Sequence, residues 1–97
     1  MTALLLDRDM RVMENVILSQ GRNMRAESYG DLILASAERH RADSVILAHN
    51  HANNVREASI EDIYLTGQIQ QILSASPYTF LGHYIITETD CFACPQL

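Results

Sequence analysis

Residues 44–48 read Ser-Val-Ile-Leu-Ala, a compact apolar run that follows a polar stretch and ends at His49-Asn50-His51. A short run without polar alternation is the pattern of a strand buried on both faces, as found in α/β sheets. That one segment sets the frame, because the chain on either side of it must supply the partner strands and the covering helices.

The flanks can do so. Thr2–Leu6 is a second apolar run, and Arg11–Leu18 carries Val12, Val16, Ile17 and Leu18. With the polar Asp7-Arg8-Asp9-Met10 between them, the two runs predict a hairpin. Gly21-Arg22-Asn23 breaks the pattern. Ser28 is a candidate cap for a helix from about Tyr29 to Arg41, with Leu32, Ile33 and Ala37 on the face of Tyr29 and Glu38, Arg39 and Arg41 toward solvent. Asn50 to Ala58 is a polar loop. Ser59 then opens a second helix to about Ser74, with Ile60, Ile63, Tyr64, Ile69, Ile72 and Leu73 as its apolar side. Gly67 interrupts this helix at a cost of about 1 kcal/mol relative to Ala, and is expected to allow close helix–sheet packing. Ser76-Pro77 ends it. Thr79–Thr87 predicts another strand and Cys91–Ala93 a short last one. The order β-β-α-β-α-β(-β) is that of a single α/β sheet domain.

Composition agrees and excludes some functions. The chain has 97 residues, 47% of them hydrophobic and 20% charged, which is one ordinary globular domain and not a disordered segment. Twelve acidic residues oppose seven basic ones, all arginine and all scattered, for a net charge of −5. That is not the footprint of an autonomous nucleic-acid binder. No apolar run approaches the ~18 residues of a membrane span, and the start at Met1 lacks a basic region and is too short in its apolar run for a signal peptide. A cytoplasmic protein with reduced thiols is expected.

The chemistry-bearing segment is Ala48-His49-Asn50-His51, followed by Ser59-Ile60-Glu61-Asp62. His49 and His51 are two apart at a predicted strand end, so both imidazoles can share one face. Asp62 falls in the first turn of the next helix, where side chains lean back toward the strand. Two imidazoles and one carboxylate, with a position left for water, form the ligand set of a catalytic Zn²⁺ site. Ser59-x-x-Asp62 is equally close to a capping pattern, which needs no metal; the residues alone leave both readings open.

The stretch from Ser44 to His51, with Ser59-Ile60-Glu61-Asp62-Ile63 after it, resembles the RadC family of the JAMM (JAB/MPN-type) metalloprotease superfamily. The likeness extends along nearly the whole chain. Leu6-Asp7 is similar to the family's first strand end, Ser19-Gln20-Gly21 to the end of its second, and Leu81 to Ile86 to its late strand. The resemblance implies a mixed sheet flanked by helices, of JAB/MPN-like and cytidine-deaminase-like architecture. It further implies Zn²⁺ held by His49, His51 and Asp62, with Ser59 steadying the tetrahedral intermediate.

The sequence departs from the family's pattern in three places. His51-Ala52-Asn53-Asn54 stands where the family has His-Pro-Ser-Gly. Gly82-His83 stands where it has Asp-His, which removes an orienting carboxylate. The general-base Glu of JAMM hydrolases falls before or at the first strand, where this chain has Met1. Glu14 is the best internal substitute; Glu14, Glu57 and Glu61 otherwise read as solvated carboxylates. His40 reads as structural at a helix end, His83 as a hydrogen-bonded core histidine, and Cys91-Phe92-Ala93-Cys94 as a loose tail rather than a redox or metal motif. The expected function is a zinc-dependent hydrolase of amide or isopeptide bonds in a peptide or protein substrate, weak or inactive for want of its base. The alternative is a non-catalytic metal-binding or interaction module. A sheet-edge homo-oligomer is compatible with either.

Overall fold

The computed structural model of the chain describes residues 1–18, 26–50 and 59–95. They fold into β1 (Thr2–Leu6), β2 (Val12–Ile17), α1 (Ala26–His40), β3 (Ser44–Asn50), α2 (Ile60–Ser74), β4 (Thr79–Ile86) and β5 (Cys91–Ala93). The strands lie in one sheet of order β2-β1-β3-β4-β5, so the apolar run at 44–48 is indeed the central strand. β1 runs antiparallel to both β2 and β3, β3 is parallel to β4, and β5 returns antiparallel to β4, which makes the sheet mixed. The predicted order of elements and the α/β class are those observed. Among the described residues no helix is long and apolar enough to cross a membrane.

The β1–β2 turn is built around Asp7. Its Oδ1 accepts from the amides of Asp9 and Arg11 at 2.8 and 3.0 Å, and its carbonyl accepts from Met10 at 3.0 Å. Met10 takes a φ of 65°, and the ladder shifts register between Leu5 and Leu6. A left-handed residue followed by a bulge is a common closure for a three-residue hairpin loop.

Both helices pack on one face of the sheet. Ala3 and Leu5 of β1, and Val45 and Leu47 of β3, alternate onto that face and share one core cluster with Tyr29, Ile33 and Ala37 of α1 and Ile69 and Leu73 of α2. Close approach of the two helices depends on Gly30, where a Cβ would lie 2.9 Å from Ile72 Cδ1. Gly67, expected to serve close packing, does not: a Cβ there meets nothing within 4 Å, and the residue lines a groove on the outer side of α2 with Tyr64 and Gln71.

The faces of the two helices also differ from the expected ones. Ser28 is inside α1 rather than capping it, because Ala26 is buried, 6% exposed, and draws the first turn into the core. Leu32 is 41% exposed instead of joining Tyr29, Ile33 and Ala37. The helix stops one residue before Arg41, which adopts a φ of 54°. Its amide donates to Glu38 O at 3.2 Å and that of Ala42 to Ala37 O at 2.9 Å, the paired bonds of a Schellman ending, with Ala37 and Ala42 both buried. In α2 the expected apolar members Ile60 and Tyr64 are 84% and 68% exposed, while the buried row is Asp62, Thr66, Ile69 and Leu73. That row is polar in its first half because it meets polar partners rather than the apolar core.

Two glycine substitutions separate these packing roles. Gly67→Ala fills open space within a helix and should stabilise the domain by about 0.5–1 kcal/mol, raising Tm by several degrees. Gly30→Leu drives a side chain into Ile72 and should cost about 1–3 kcal/mol. Thermal and urea unfolding of the two variants against wild type measures both.

Candidate metal centre

Parallel pairing of β3 with β4 requires a crossover, and α2 supplies it, so the amino end of α2 comes back over the carboxyl end of β3. β3 runs to Asn50, two residues beyond the apolar run, and carries His49 within the ladder opposite Ile85. Alternation puts His49 on the helix-covered face with Val45 and Leu47.

Ser59 caps α2 as expected. Its Oγ accepts from the amide of Asp62 at 3.0 Å, and its own amide donates to Asp62 Oδ2 at 3.1 Å, a complete capping box. The other carboxylate oxygen, Oδ1, is 3.1 Å from His49 Nδ1. Asp62 is 6% exposed. The capping and metal-binding readings of Asp62 therefore use different oxygens of one carboxylate and do not exclude each other.

Two donors bound tetrahedrally to Zn²⁺ at about 2.0–2.2 Å stand about 3.3–3.6 Å apart. The 3.1 Å His49–Asp62 separation comes within a few tenths of an ångström of that geometry, and it is equally the distance of a simple imidazole–carboxylate ion pair. His51, the third expected ligand, lies outside the described residues, as does Glu57. Among the described residues no group of three or more His, Cys, Asp or Glu side chains converges as a metal site.

Glu14 does not reach this end of the sheet. The ladders put it opposite Leu5, and Leu5 opposite Val45, four residues short of His49 on a strand two places away. That is roughly 13 Å along the strands in addition to two strand spacings. Glu14 instead stands 3.8 Å from His40 Nε2 at the end of α1, both side chains partly exposed. Glu61 is exposed on α2. The antiparallel β1–β3 register pairs Thr2 with Ala48, so the start of β1, not β2, is the chain segment beside His49.

His83 is a core histidine, 0% exposed, with Nδ1 2.7 Å from Thr66 Oγ1 and its ring stacked on His49 at a centroid distance of 5.9 Å. Thr66 was not singled out by sequence reasoning. Its place one turn after Asp62 on the row 62, 66, 69, 73 is the signal that could have found it. The tail is not loose either. Cys91 sits in β5 opposite Ile86, and Cys94 is 3% exposed, its amide donating to His83 O at 2.6 Å. Residues three apart along a strand are about 10 Å apart, beyond the ~4.4–6.8 Å Cα separation of a disulfide. Both cysteines are accordingly free thiols, Cys91 exposed and Cys94 buried. Burial pushes the Cys94 thiol up from its ordinary value, the Thr66 hydroxyl opposes that, and the charge of Asp62 adds to it. Such a thiol stays protonated at neutral pH.

Gly82, where a carboxylate was expected, has a φ of 131° and lies at the register shift where Ile46 pairs with Gly82 after Val45 has paired with Phe80. A side chain there would be strained, so the bulge before His83 accounts for the glycine.

Ser59→Ala should cost about 0.5–2 kcal/mol, with most of it recovered by Ser59→Thr, because the hydroxyl caps α2 whatever else it does. Urea denaturation checks this, and a cost near zero would contradict the capping box.

Comparison with known proteins places these features in a family. A family model described as RadC-like JAB domain matches residues 1–96. A UPF0758 protein of Neisseria meningitidis serogroup B is 35% identical over 95 residues, covering 98% of this chain and 42% of the relative. A UPF0758 protein of Bordetella parapertussis is 34% identical over 84 residues, covering 87% and 37%. One of Vibrio cholerae is 34% identical over 83 residues, covering 86% and 37%. The chain thus spans about two fifths of the length of these curated relatives. It belongs to the RadC-like JAB domain family.

Proposed function

We propose that this RadC-like JAB domain holds one Zn²⁺ through His49, His51 and Asp62, in a site of the amide- or isopeptide-hydrolase type acting on a peptide or protein. The observation that carries the reading is the 3.1 Å approach of Asp62 Oδ1 to His49 Nδ1, which joins the strand-end histidine to the helix carboxylate at ligand spacing. Zinc bound there would supply a Lewis acid that activates water and polarises an amide carbonyl. Ser59 stands at the mouth of α2 with its oxygen already accepting from Asp62 N, which leaves its own O–H to donate toward an oxyanion.

Turnover by these 97 residues is weak or absent on this reading. Amide hydrolysis needs a carboxylate to carry a proton from the attacking water to the leaving nitrogen, and loss of such a base forfeits ~10²–10⁴-fold in rate. Glu14 is remote, and a hydroxyl such as that of Ser59 is no base at neutral pH. A second reading, a non-catalytic metal-binding or interaction module, is supported by the capping box, which gives Ser59 and Asp62 a complete structural role without chemistry.

Elemental analysis of the purified protein should find about one Zn²⁺ per chain, and much less in the His49→Ala/His51→Ala variant; equal zinc in both would sink the site. Chelation should lower Tm by about 10 °C or more, since a ligand present at a hundred times its Kd stabilises the folded state by ~2.7 kcal/mol. A variant extended at its amino end, with Glu immediately before Thr2, should outpace the unextended chain by ~10²-fold or more on a peptide and isopeptide panel. Zinc binding without any turnover by the extended chain would favour the module.

A further inference from the structure

Beneath the His49–Asp62 pair lies a closed cluster of polar groups. Thr66 is 0% exposed, and its Oγ1 makes three contacts: it donates to Asp62 O at 2.7 Å, and it lies 2.7 Å from His83 Nδ1 and 3.4 Å from Cys94 Sγ. A hydroxyl has one proton and two lone pairs. With the proton committed to the Asp62 carbonyl, the nearest acceptor of fixed role, His83 can meet Thr66 at 2.7 Å only as an Nδ1–H donor. The Cys94 sulfur stands 3.4 Å from the same oxygen as its third and most distant neighbour. The cluster touches both members of the site: the hydroxyl holds the backbone of Asp62, and the ring held by that hydroxyl stacks on His49 with planes 22° apart.

We propose that Thr66 and His83 are positioning residues for the metal-ligand pair. Thr66 ties the first turn of α2 to β4 through the Nδ1–H of His83, and the ring so fixed sets the plane of the His49 imidazole. The inference rests on the zinc reading for its consequence but not for its geometry, which the Asp62, Thr66, His83 and His49 contacts supply. A cluster with a merely structural role would hold α2 on the sheet and lower Tm when broken. It would leave His49 where it is.

The experiment reads imidazole ¹⁵N–¹H correlations in metal-free protein and Zn²⁺ affinity by competition with a chromophoric chelator. Expected are the Nδ1–H tautomer for His83 in wild type, displaced His49 ring signals in Thr66→Val, and wild-type signals again in Thr66→Ser. Zn²⁺ affinity should fall ~10–100-fold in Thr66→Val and recover in Thr66→Ser, the range seen when outer-shell partners of metal ligands are lost. An Nε2–H tautomer in wild type overturns the proposal, and that measurement stands even where Thr66→Val does not fold. So does a folded Thr66→Val whose His49 signals and Zn²⁺ affinity are unchanged. A wild-type chain that takes up no Zn²⁺, while its His49 signals still move in Thr66→Val and return in Thr66→Ser, upholds the positioning role and removes the zinc reading.

Discussion

A carboxylate at the inner face of a helix is expensive, since even after relaxation an unpaired buried ion costs several kcal/mol. Asp62 is such a group, and its end of the domain is arranged around it. One oxygen is taken by the Ser59 amide, which fixes the cap; the other meets His49, which fixes the end of β3 against the first turn of α2. The backbone carbonyl of the same residue takes the Thr66 proton. Remove the carboxylate and the cap, the strand end and the helix lose the group through which they meet.

That arrangement explains where the sequence could be read and where it could not. The strands were legible almost to the residue, because continuous apolar runs bounded by Asp7, Asp43 and Ser76-Pro77 leave little choice of register or length. The second helix was legible in extent and not in orientation. Counting apolar positions turned Ile60 and Tyr64 inward, whereas the buried row begins with Asp62 and Thr66. Periodicity assumes that what is buried is apolar, and it fails where a helix buries polar groups against polar partners, which is where a functional site is expected to lie. Cys94 was misread for a related reason. Nothing local marks it as buried; its partners, Thr66 and His83, come from elements 28 and 11 residues earlier in the chain.

Gly30 and Gly82 show the same limit in the backbone. Each is required by a neighbour remote in sequence, Ile72 in one case and the β3 register shift in the other. Gly67, which a local reading would have made the packing glycine, faces open space. The absence of an acidic residue at position 82 therefore has a cause in sheet geometry, and the buried polar contact of His83 is with a helix hydroxyl instead.

The parallel pair β3–β4 sets which end of the sheet the amino end of α2 meets. A crossover helix between parallel strands returns its amino end to the carboxyl end of the first strand, so the partial positive charge of α2 is aimed at the region of His49. On its own that end attracts anions and repels a cation. Asp62, at the third position of the helix, sets a full negative charge between the helix dipole and the imidazole and so reverses the local field. The same carboxylate that completes the cap thus also offsets the helix dipole beside His49. Ser59 is bound to Asp62 in both directions, its Oγ accepting from the Asp62 amide and its own amide donating to the carboxylate. One helix terminus whose third residue is an aspartate thus joins the cap, the strand end and the buried threonine in a single arrangement.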